Sequence, residues 1–143
     1  MTEALLAAVT TACSGENFLV STIIDGEITV EIPSHCLREA VKAGIAQQGW
    51  LHLSAITAQQ DPVGIQLLYH FWQQGGLTLR ITCPSDELAV PSLTDLLPVA
   101  DWYEREVRDM FGIEFIGHPN PVRLLLPDDW QEPPPMRVQD TIT

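Results

Sequence analysis

The side chains that could do chemistry are concentrated between Asp101 and Trp130, in the stretch DWYEREVRDMFGIEFIGHPNPVRLLLPDDW. Glu104 and Glu106 cannot act as a catalytic acid/base pair on one substrate, because two positions along a helix place them about 200° apart. We interpret each as the partner of a separate cation. Arg105 carries a planar guanidinium group that can clamp a partner's carboxylate through two parallel hydrogen bonds. A competing hypothesis to such partner binding is that the chain is a small free-standing enzyme that uses His118 and nearby carboxylates.

The sequence lacks the spacings on which other kinds of chemistry depend. No HxxxH, HxxE or CxxC pattern supports a metal site, and no GxSxG pattern supports a serine hydrolase. Nucleotide binding is also unsupported, because there is no GxGxxG pattern and the only lysine, Lys42, is not in a phosphate-binding loop. We therefore expect no cofactor and no metal in this chain.

A helix over residues 99–111 must position the charged side chains. Large side chains recur in it at spacings of three and four, which predicts an apolar face made of Trp102, Tyr103, Val107, Met110 and Phe111. We expect this face to pack on a sheet and the charges to lie elsewhere, in the acid-before-base pairs Asp101–Arg105 and Glu104–Arg108. Gly112 follows the last periodic residue, where a left-handed cap would end the helix.

Short motifs follow one another in this stretch in a fixed order: Glu104-Arg105-Glu106, Asp109, Met110-Phe111-Gly112-Ile113, His118-Pro119, Arg123-Leu124-Leu125-Leu126-Pro127 and Asp129-Trp130. In this order they resemble the signature of the 30 kDa subunit family of respiratory complex I, an NADH:quinone oxidoreductase. Related subunits occur in membrane-bound energy-converting nickel–iron hydrogenases. The resemblance extends upstream through PSLTDLLPVADWYERE.

This resemblance implies a non-catalytic structural subunit in the cytoplasmic arm of a membrane-bound oxidoreductase, peripheral on the inner face of the cell membrane. The subunit would pack against the large 49 kDa, or hydrogenase-like, subunit and other peripheral-arm subunits, while its neighbours carry the electron chemistry. A binder of the unassembled large subunit is a further alternative. The tail differs from the family's usual ending, and Met136-Arg137 stands there in place of the family's Leu-Arg. The residues expected to bind the partner are Glu104, Arg105, Glu106, Asp109, Phe111, Gly112, His118, Pro119, Arg123, Trp130 and Arg137.

The order of predicted elements indicates an α+β fold. Helices are expected over 2–13 and from 34 to about 48, with Gly49 ending the second, and Ser92 with Asp95 resembles a capping box before a short helix. Strands are expected over 19–24, 27–32, 50–57, 65–73 and 77–83, with Asp25-Gly26 as a hairpin turn, residues 59–62 as a second turn and 84–91 as a loop. The predicted elements follow one another in α-β-β-α-β-β-β-α order, and the resemblance implies a two-layer α/β sandwich with a mixed five-stranded sheet. We predict one domain over 1–126 and an extended proline-rich tail over 127–143.

Composition narrows the class of partner. The net charge of −12 argues against binding to nucleic acid or to an anionic membrane surface, since both favour basic proteins. No apolar run approaches the roughly eighteen residues of a membrane-spanning helix, so we expect no direct membrane insertion. Cys13, Cys36 and Cys83 have no CxxC spacing and are predicted to be buried free thiols in a reducing compartment.

Overall fold

A mixed sheet forms the centre of the computed structural model, which describes residues 19–24, 27–49, 52–72 and 76–138. The predicted helix over 2–13, Cys13 and the Asp25-Gly26 turn lie outside these residues. The described elements, in chain order, are β1 (Leu19–Ile24), β2 (Glu27–Glu31), a 3-10 turn (Ser34–Cys36), α1 (Leu37–Gln48), β3 (Leu53–Gln60), β4 (Gly64–Trp72), β5 (Gly76–Pro84), β6 (Ala89–Pro91), α2 (Ala100–Phe111) and β7 (Glu114–Ile116).

Five strands form the main sheet in the order β1-β2-β5-β4-β3. The pairs β1–β2, β3–β4 and β4–β5 are antiparallel, as expected for strands joined by short connections. The pair β2–β5 is parallel, because the chain returns to β2 only after the crossover through α1, β3 and β4. The predicted mixed α/β class is therefore confirmed.

The hydrophobic core lies on one face of this sheet. Alternate residues of β4 and β5 point into it, among them Leu67, Tyr69, Leu79 and Ile81, each fully buried. Both described helices contribute to the same core: α1 buries Leu37, Ala40 and Val41, and α2 buries Ala100, Val107 and Phe111. One core thus holds the sheet and both helices together.

Glycine ends both helices as predicted. Gly49 (φ 68°) and Gly112 (φ 77°) adopt the left-handed conformation, and their N–H groups donate to carbonyls of the last helical turn. The two cysteines in the described part of the chain, Cys36 and Cys83, are free and buried, as predicted. Burial raises the pKa of the Cys83 thiol to about 11.

Two local predictions, the turn over 59–62 and the short helix after Ser92, are wrong because side chains there form hydrogen bonds that the local pattern does not indicate. The turn expected over 59–62 begins later, because Gln59 and Gln60 pair with β4 and the Asp61 carboxylate accepts the N–H groups of Val63 and Gly64. The short helix expected after Ser92 does not form. Residues 94–96 make a turn, and Asp95 forms two hydrogen bonds of 2.7 Å with Arg38 of α1 instead of closing a capping box.

A second, small sheet was not predicted. Residues 89–91, expected to lie in a loop, form β6, which pairs in parallel with β7. The chain runs from β6 through α2, the helix of the signature, to β7, so the two paired strands close a crossover that contains α2. This arrangement sets the residues after β6 beside α2.

The tail folds back along the domain without helix or strand up to residue 138. The Met136 N–H donates to the Met110 carbonyl at the end of α2. The Gln60 side chain forms two hydrogen bonds with the backbone of Val138, of 2.9 and 2.6 Å. These contacts join the tail to residues of the domain, on the other side of the boundary predicted between residues 126 and 127.

Candidate partner-binding site

The inward stripe of α2 differs from the predicted one. It runs through Ala100, Glu104, Val107 and Phe111, at helical spacings of four, three and four. The predicted burial of Val107 and Phe111 is confirmed. Burial of Trp102 is wrong, because its side chain is 67% exposed. Glu104, which the sequence pattern placed on the charged outward face, therefore occupies a core position.

The Glu104 carboxylate is buried but supplied with donors. One oxygen accepts the Ser92 hydroxyl at 2.6 Å, and the other accepts the Leu93 N–H at 2.8 Å. Burial raises the pKa of Glu104, and the two donors only partly oppose that rise. The predicted cation partner of Glu104 is therefore wrong, and so is the Glu104–Arg108 pair. The carboxylate instead fixes the segment after β6 against α2.

Asp109 organises the loop that follows the His-Pro motif. Its Oδ2 atom accepts three backbone N–H groups, those of Leu124, Leu125 and Leu126, at 2.9, 2.7 and 3.1 Å. Burial alone would raise the pKa of Asp109, but these three donors and the nearby Arg123 lower it below its ordinary value. Asp109 thus anchors the Arg-Leu-Leu-Leu run to the helix.

Arg105 holds the same loop from the other side. Its Nε donates to the Val122 carbonyl at 3.1 Å and its Nη2 to the Arg123 carbonyl at 3.2 Å. The predicted helical pair with Asp101 is present at a longer 3.7 Å. Arg123 in turn donates to the Trp130 carbonyl at 3.2 Å. These contacts give Arg105 and Arg123 roles inside the chain, and their roles toward a partner stay predictions.

His118 is buried and engaged through both ring nitrogens. Its Nδ1 accepts the Asn120 N–H at 3.0 Å, so the proton of the neutral ring lies on Nε2. Nε2 lies 3.1 Å from Asp101 Oδ1 and 3.3 Å from the Asp101 carbonyl. Through these contacts the ring links the His-Pro loop to the start of α2.

The remaining signature residues divide between the helix end and the surface. A side chain at Gly112 would place its Cβ 2.8 Å from Pro134 Cγ, so glycine serves both the left-handed cap and the passage of the tail. Arg137 Nη1 lies 3.7 Å from the same point. Glu106 and Pro119 are exposed, and Glu106 has no ion pair among the residues that the structure describes.

Exposed apolar side chains surround the signature helix and its loop. They are Val99, Trp102, Ile116, Val122 and Leu125, each between 47% and 67% exposed. Trp102 lies one helical turn before Arg105, which holds the backbone of Val122. We call these five residues the apolar rim. A contiguous patch of such side chains rimmed by polar ones is typical of protein-binding surfaces.

An open cleft of about 610 Å³ lies between α2, β7, the loop and the tail. It brings together most of the predicted site residues, and its lining comprises Glu104, Arg105, Arg108, Asp109, Gly112, Ile113, Glu114, Phe115, Gly117, His118, Pro121, Arg123, Trp130, Glu132 and Pro134. Four of the predicted residues lie outside this lining: Glu106, Phe111, Pro119 and Arg137. Within the described ranges, no group of three or more His, Cys, Asp or Glu residues is placed to hold a metal ion. No helix in that part of the chain is long and apolar enough to cross a membrane.

Sequence reasoning missed three parts of this site. Ser92 is the buried partner of Glu104, Asp101 is the partner of His118, and Arg108 lines the cleft. The partners of Glu104 and His118 lie 12 and 17 residues away along the chain. No local spacing signals such pairs. Arg108 was predicted to pair with Glu104 on the exposed face of the helix. Because Glu104 points inward, that pair does not form, and Arg108 lines the cleft instead.

Arginines in a cleft beside exposed aromatic and aliphatic side chains are a composition that protein–protein interfaces often have, and the chain that carries them folds as a small α/β domain. A family model described as "Respiratory-chain NADH dehydrogenase, 30 Kd subunit" matches residues 30–143. The chain belongs to this family.

The relatives are longer than this chain. It is 33% identical over 147 residues to the C/D subunit of NADH-quinone oxidoreductase from Methylococcus capsulatus, covering 92% of this chain and 25% of the relative. It is 36% identical over 131 residues to the C/D subunit from Gluconacetobacter diazotrophicus, covering 81% of this chain and 22% of the relative. The chain thus spans about a quarter of the length of these relatives.

Solved structures share the fold. A trypsin-resistant fragment of Nqo5 (residues 1–134) superposes with a TM-score of 0.69 at 24% identity, covering 81% of this chain and 98% of the fragment. A chain of the membrane-bound sulfane sulfur reductase, an archaeal respiratory membrane complex, superposes with a TM-score of 0.65 at 21% identity, covering 82% of this chain and 71% of that chain.

Proposed function

We propose that this chain is a non-catalytic structural subunit of a complex I-type NADH:quinone oxidoreductase and that it packs against the large 49 kDa-type subunit. The observation that carries the proposal is the naming and length of its relatives. They are C/D subunits, and this chain corresponds to about a quarter of each. In these relatives the matched part belongs to a larger subunit of the oxidoreductase, so we propose that this domain works in contact with other parts of such a complex.

The surface around the signature helix supports an assembly role. The apolar rim exposes Trp102, and tryptophan is one of the residues that most often dominate binding energy in protein interfaces. An exposed tryptophan gives an isolated chain little stability, whereas its burial against a partner removes a large apolar area from water. The rim and the cleft together form the face that we assign to the large subunit.

The proposal includes the location and the division of chemistry. The chain would sit in the peripheral, cytoplasmic arm and reach the inner face of the membrane only through its complex. No flavin, iron–sulfur cluster or nickel would be held by this chain, so electron transfer would take place in neighbouring subunits.

A free-standing enzyme that uses His118 has less support. A general base needs a ring nitrogen that can reach a substrate proton. The His118 side chain is 2% exposed, and its two nitrogens contact Asn120 and Asp101. A binder that holds the large subunit only before assembly would use the same surface, and the lifetime of the complex distinguishes the two roles.

Co-expression with the large subunit tests the proposal. The wild-type chain is expected to co-purify with it and to remain in the assembled oxidoreductase. Trp102→Ala should weaken that association, while Trp72→Ala, which truncates a 56% exposed tryptophan on β4, serves as the matched control. Absence of co-purification would refute the packing role, and release of the chain from the mature complex would favour the assembly binder.

A further inference from the structure

Positive charge is gathered around the cleft of an otherwise acidic chain. Three of the seven basic residues, Arg105, Arg108 and Arg123, line the cleft, while the chain as a whole carries a net charge of −12. A guanidinium group recognises carboxylates with a fixed, planar geometry. A guanidinium group with free donors in this cleft can therefore bind an acidic group, provided that the four acids of the same lining do not cancel its charge.

The acidic residues of the cleft do not cancel this charge at its base. Glu104 and Asp109 are turned toward donors inside the protein, Ser92 and Leu93 for the first and the N–H groups of residues 124–126 for the second. The other two acids in the lining, Glu114 and Glu132, are exposed. Arg123 lies near the Asp109 carboxylate and Arg105 lies 3.7 Å from Asp101, so among the described residues Arg108 is the arginine of the lining without an ion pair.

Arg108 differs from the other two arginines because its donors are unused. Arg105 donates to the carbonyls of Val122 and Arg123, and Arg123 donates to Trp130. Among the described residues, Arg108 makes no hydrogen bond or ion pair, although its side chain is half-buried. Its position in the last turn of α2 is favourable for a cation, but the guanidinium fork remains available.

We propose that the cleft receives an extended acidic segment of the large subunit and that Arg108 binds a carboxylate of that segment. This inference rests on the proposed function and names the feature of the partner that it requires. The volume of about 610 Å³ is in the range of ligand-sized sites, so it suits a short stretch of chain rather than a domain. The cleft also continues into the apolar rim, because Pro121 and Arg123 line the cleft and Val122 between them is 48% exposed.

The affinity of the purified chain for the large subunit, measured at low and high salt, tests the role of Arg108. Arg108→Gln is expected to weaken binding at least about ten-fold and to reduce its salt dependence, since a desolvated charge pair is lost. Lys42→Gln removes one exposed positive charge from α1 and is expected to change the affinity less than about two-fold. Both variants should melt like the wild type, because neither residue holds the fold.

The outcomes separate the two proposals. If the wild-type chain does not bind the large subunit, the proposed function fails. If the wild type binds but Arg108→Gln behaves like Lys42→Gln, the inference about the cleft is refuted and the proposed function stands.

Cross-linking identifies the segment. A photo-cross-linking residue at Glu132, on the exposed side of the cleft, should capture a peptide of the large subunit with a net negative charge. The same residue at Ser54, an exposed position of β3, should not capture that peptide. A neutral or basic peptide captured from position 132 would overturn the proposal.

Discussion

The buried Glu104 carboxylate should leave a measurable pH dependence in the stability of the chain. Its side chain is fully buried, and burial raises its pKa above the ordinary value of 4.5. The folded state therefore binds the Glu104 proton more tightly than the unfolded state does. Stability from this group is fully present below pH 4.5 and falls as pH rises toward the raised folded pKa.

Two substitutions separate the charge from the hydrogen bonds. Glu104→Gln keeps an oxygen for the Leu93 N–H and removes the charge, so we expect stability within about 1 kcal/mol of the wild type near neutral pH. Glu104→Ala removes both acceptors. Because hydrogen bonds to a charged group are worth roughly 1.5–3 kcal/mol each, the loss of two of them should cost this variant about 3–6 kcal/mol.

Urea unfolding of both variants and the wild type between pH 4 and 8 checks this reasoning. The stability of the wild type relative to Glu104→Gln should fall by up to about 1.4 kcal/mol per pH unit between 4.5 and the folded pKa. Taking the difference removes the opposite contributions of Asp95 and Asp109, whose pKa values are lowered. A difference that stays flat or rises with pH would refute the reasoning, since the donors would then outweigh burial.

Three further substitutions test the packing, the loop and the tail. Phe111→Ala should cost about 3–5 kcal/mol in a urea titration, because Phe111 is only 8% exposed and packs in the core. Asp109→Ala should cost about 2–4 kcal/mol and speed hydrogen exchange in residues 124–126, because three N–H groups lose their acceptor. Gln60→Ala should speed exchange around Val138 and lower the melting temperature, because both hydrogen bonds to the tail are lost.

For each of these three predictions, one outcome would contradict it. A loss below about 1 kcal/mol for Phe111→Ala would mean that this side chain is not in the core. Asp128→Ala, at an exposed position near the loop, should leave exchange unchanged, so an equal effect would exclude a specific role for Asp109. Gln59→Ala removes the bond to Gln66 but not the tail contact, and tail exchange as fast as in Gln60→Ala would contradict the Gln60 prediction.

Local periodicity and glycine placement were enough to predict much of the fold. The alternation of Leu77, Leu79, Ile81 and Cys83 predicted a strand with one buried face, and β5 buries all four. Both left-handed caps followed from glycine after a periodic run. These features depend on neighbouring residues only, which is why a single sequence carries them.

Features that depend on distant partners could not be predicted. β6 and β7 pair with each other although α2 separates them along the chain. Each is only three residues long, which is too short for an alternating pattern of apolar and polar residues to be recognised. Asp95 has the local spacing of a capping residue but is bound by Arg38, 57 positions away. Glu104 was assigned to the exposed face because the donors that make its burial tolerable come from another segment of the chain.

The internal contacts explain why a chain proposed to lack a catalytic centre carries so many charged residues in its signature. The segment from residue 117 to 138 has no helix or strand, so its backbone groups need other hydrogen-bond partners. Asp109 and Arg105 supply them to the loop, and the buried contact of His118 with Asp101 holds its start. Charged side chains that would suggest catalysis in the sequence therefore shape an irregular surface. Among the described residues Arg108 makes no hydrogen bond or ion pair, and Trp102 is 67% exposed, so these are the two side chains that we propose a partner contacts.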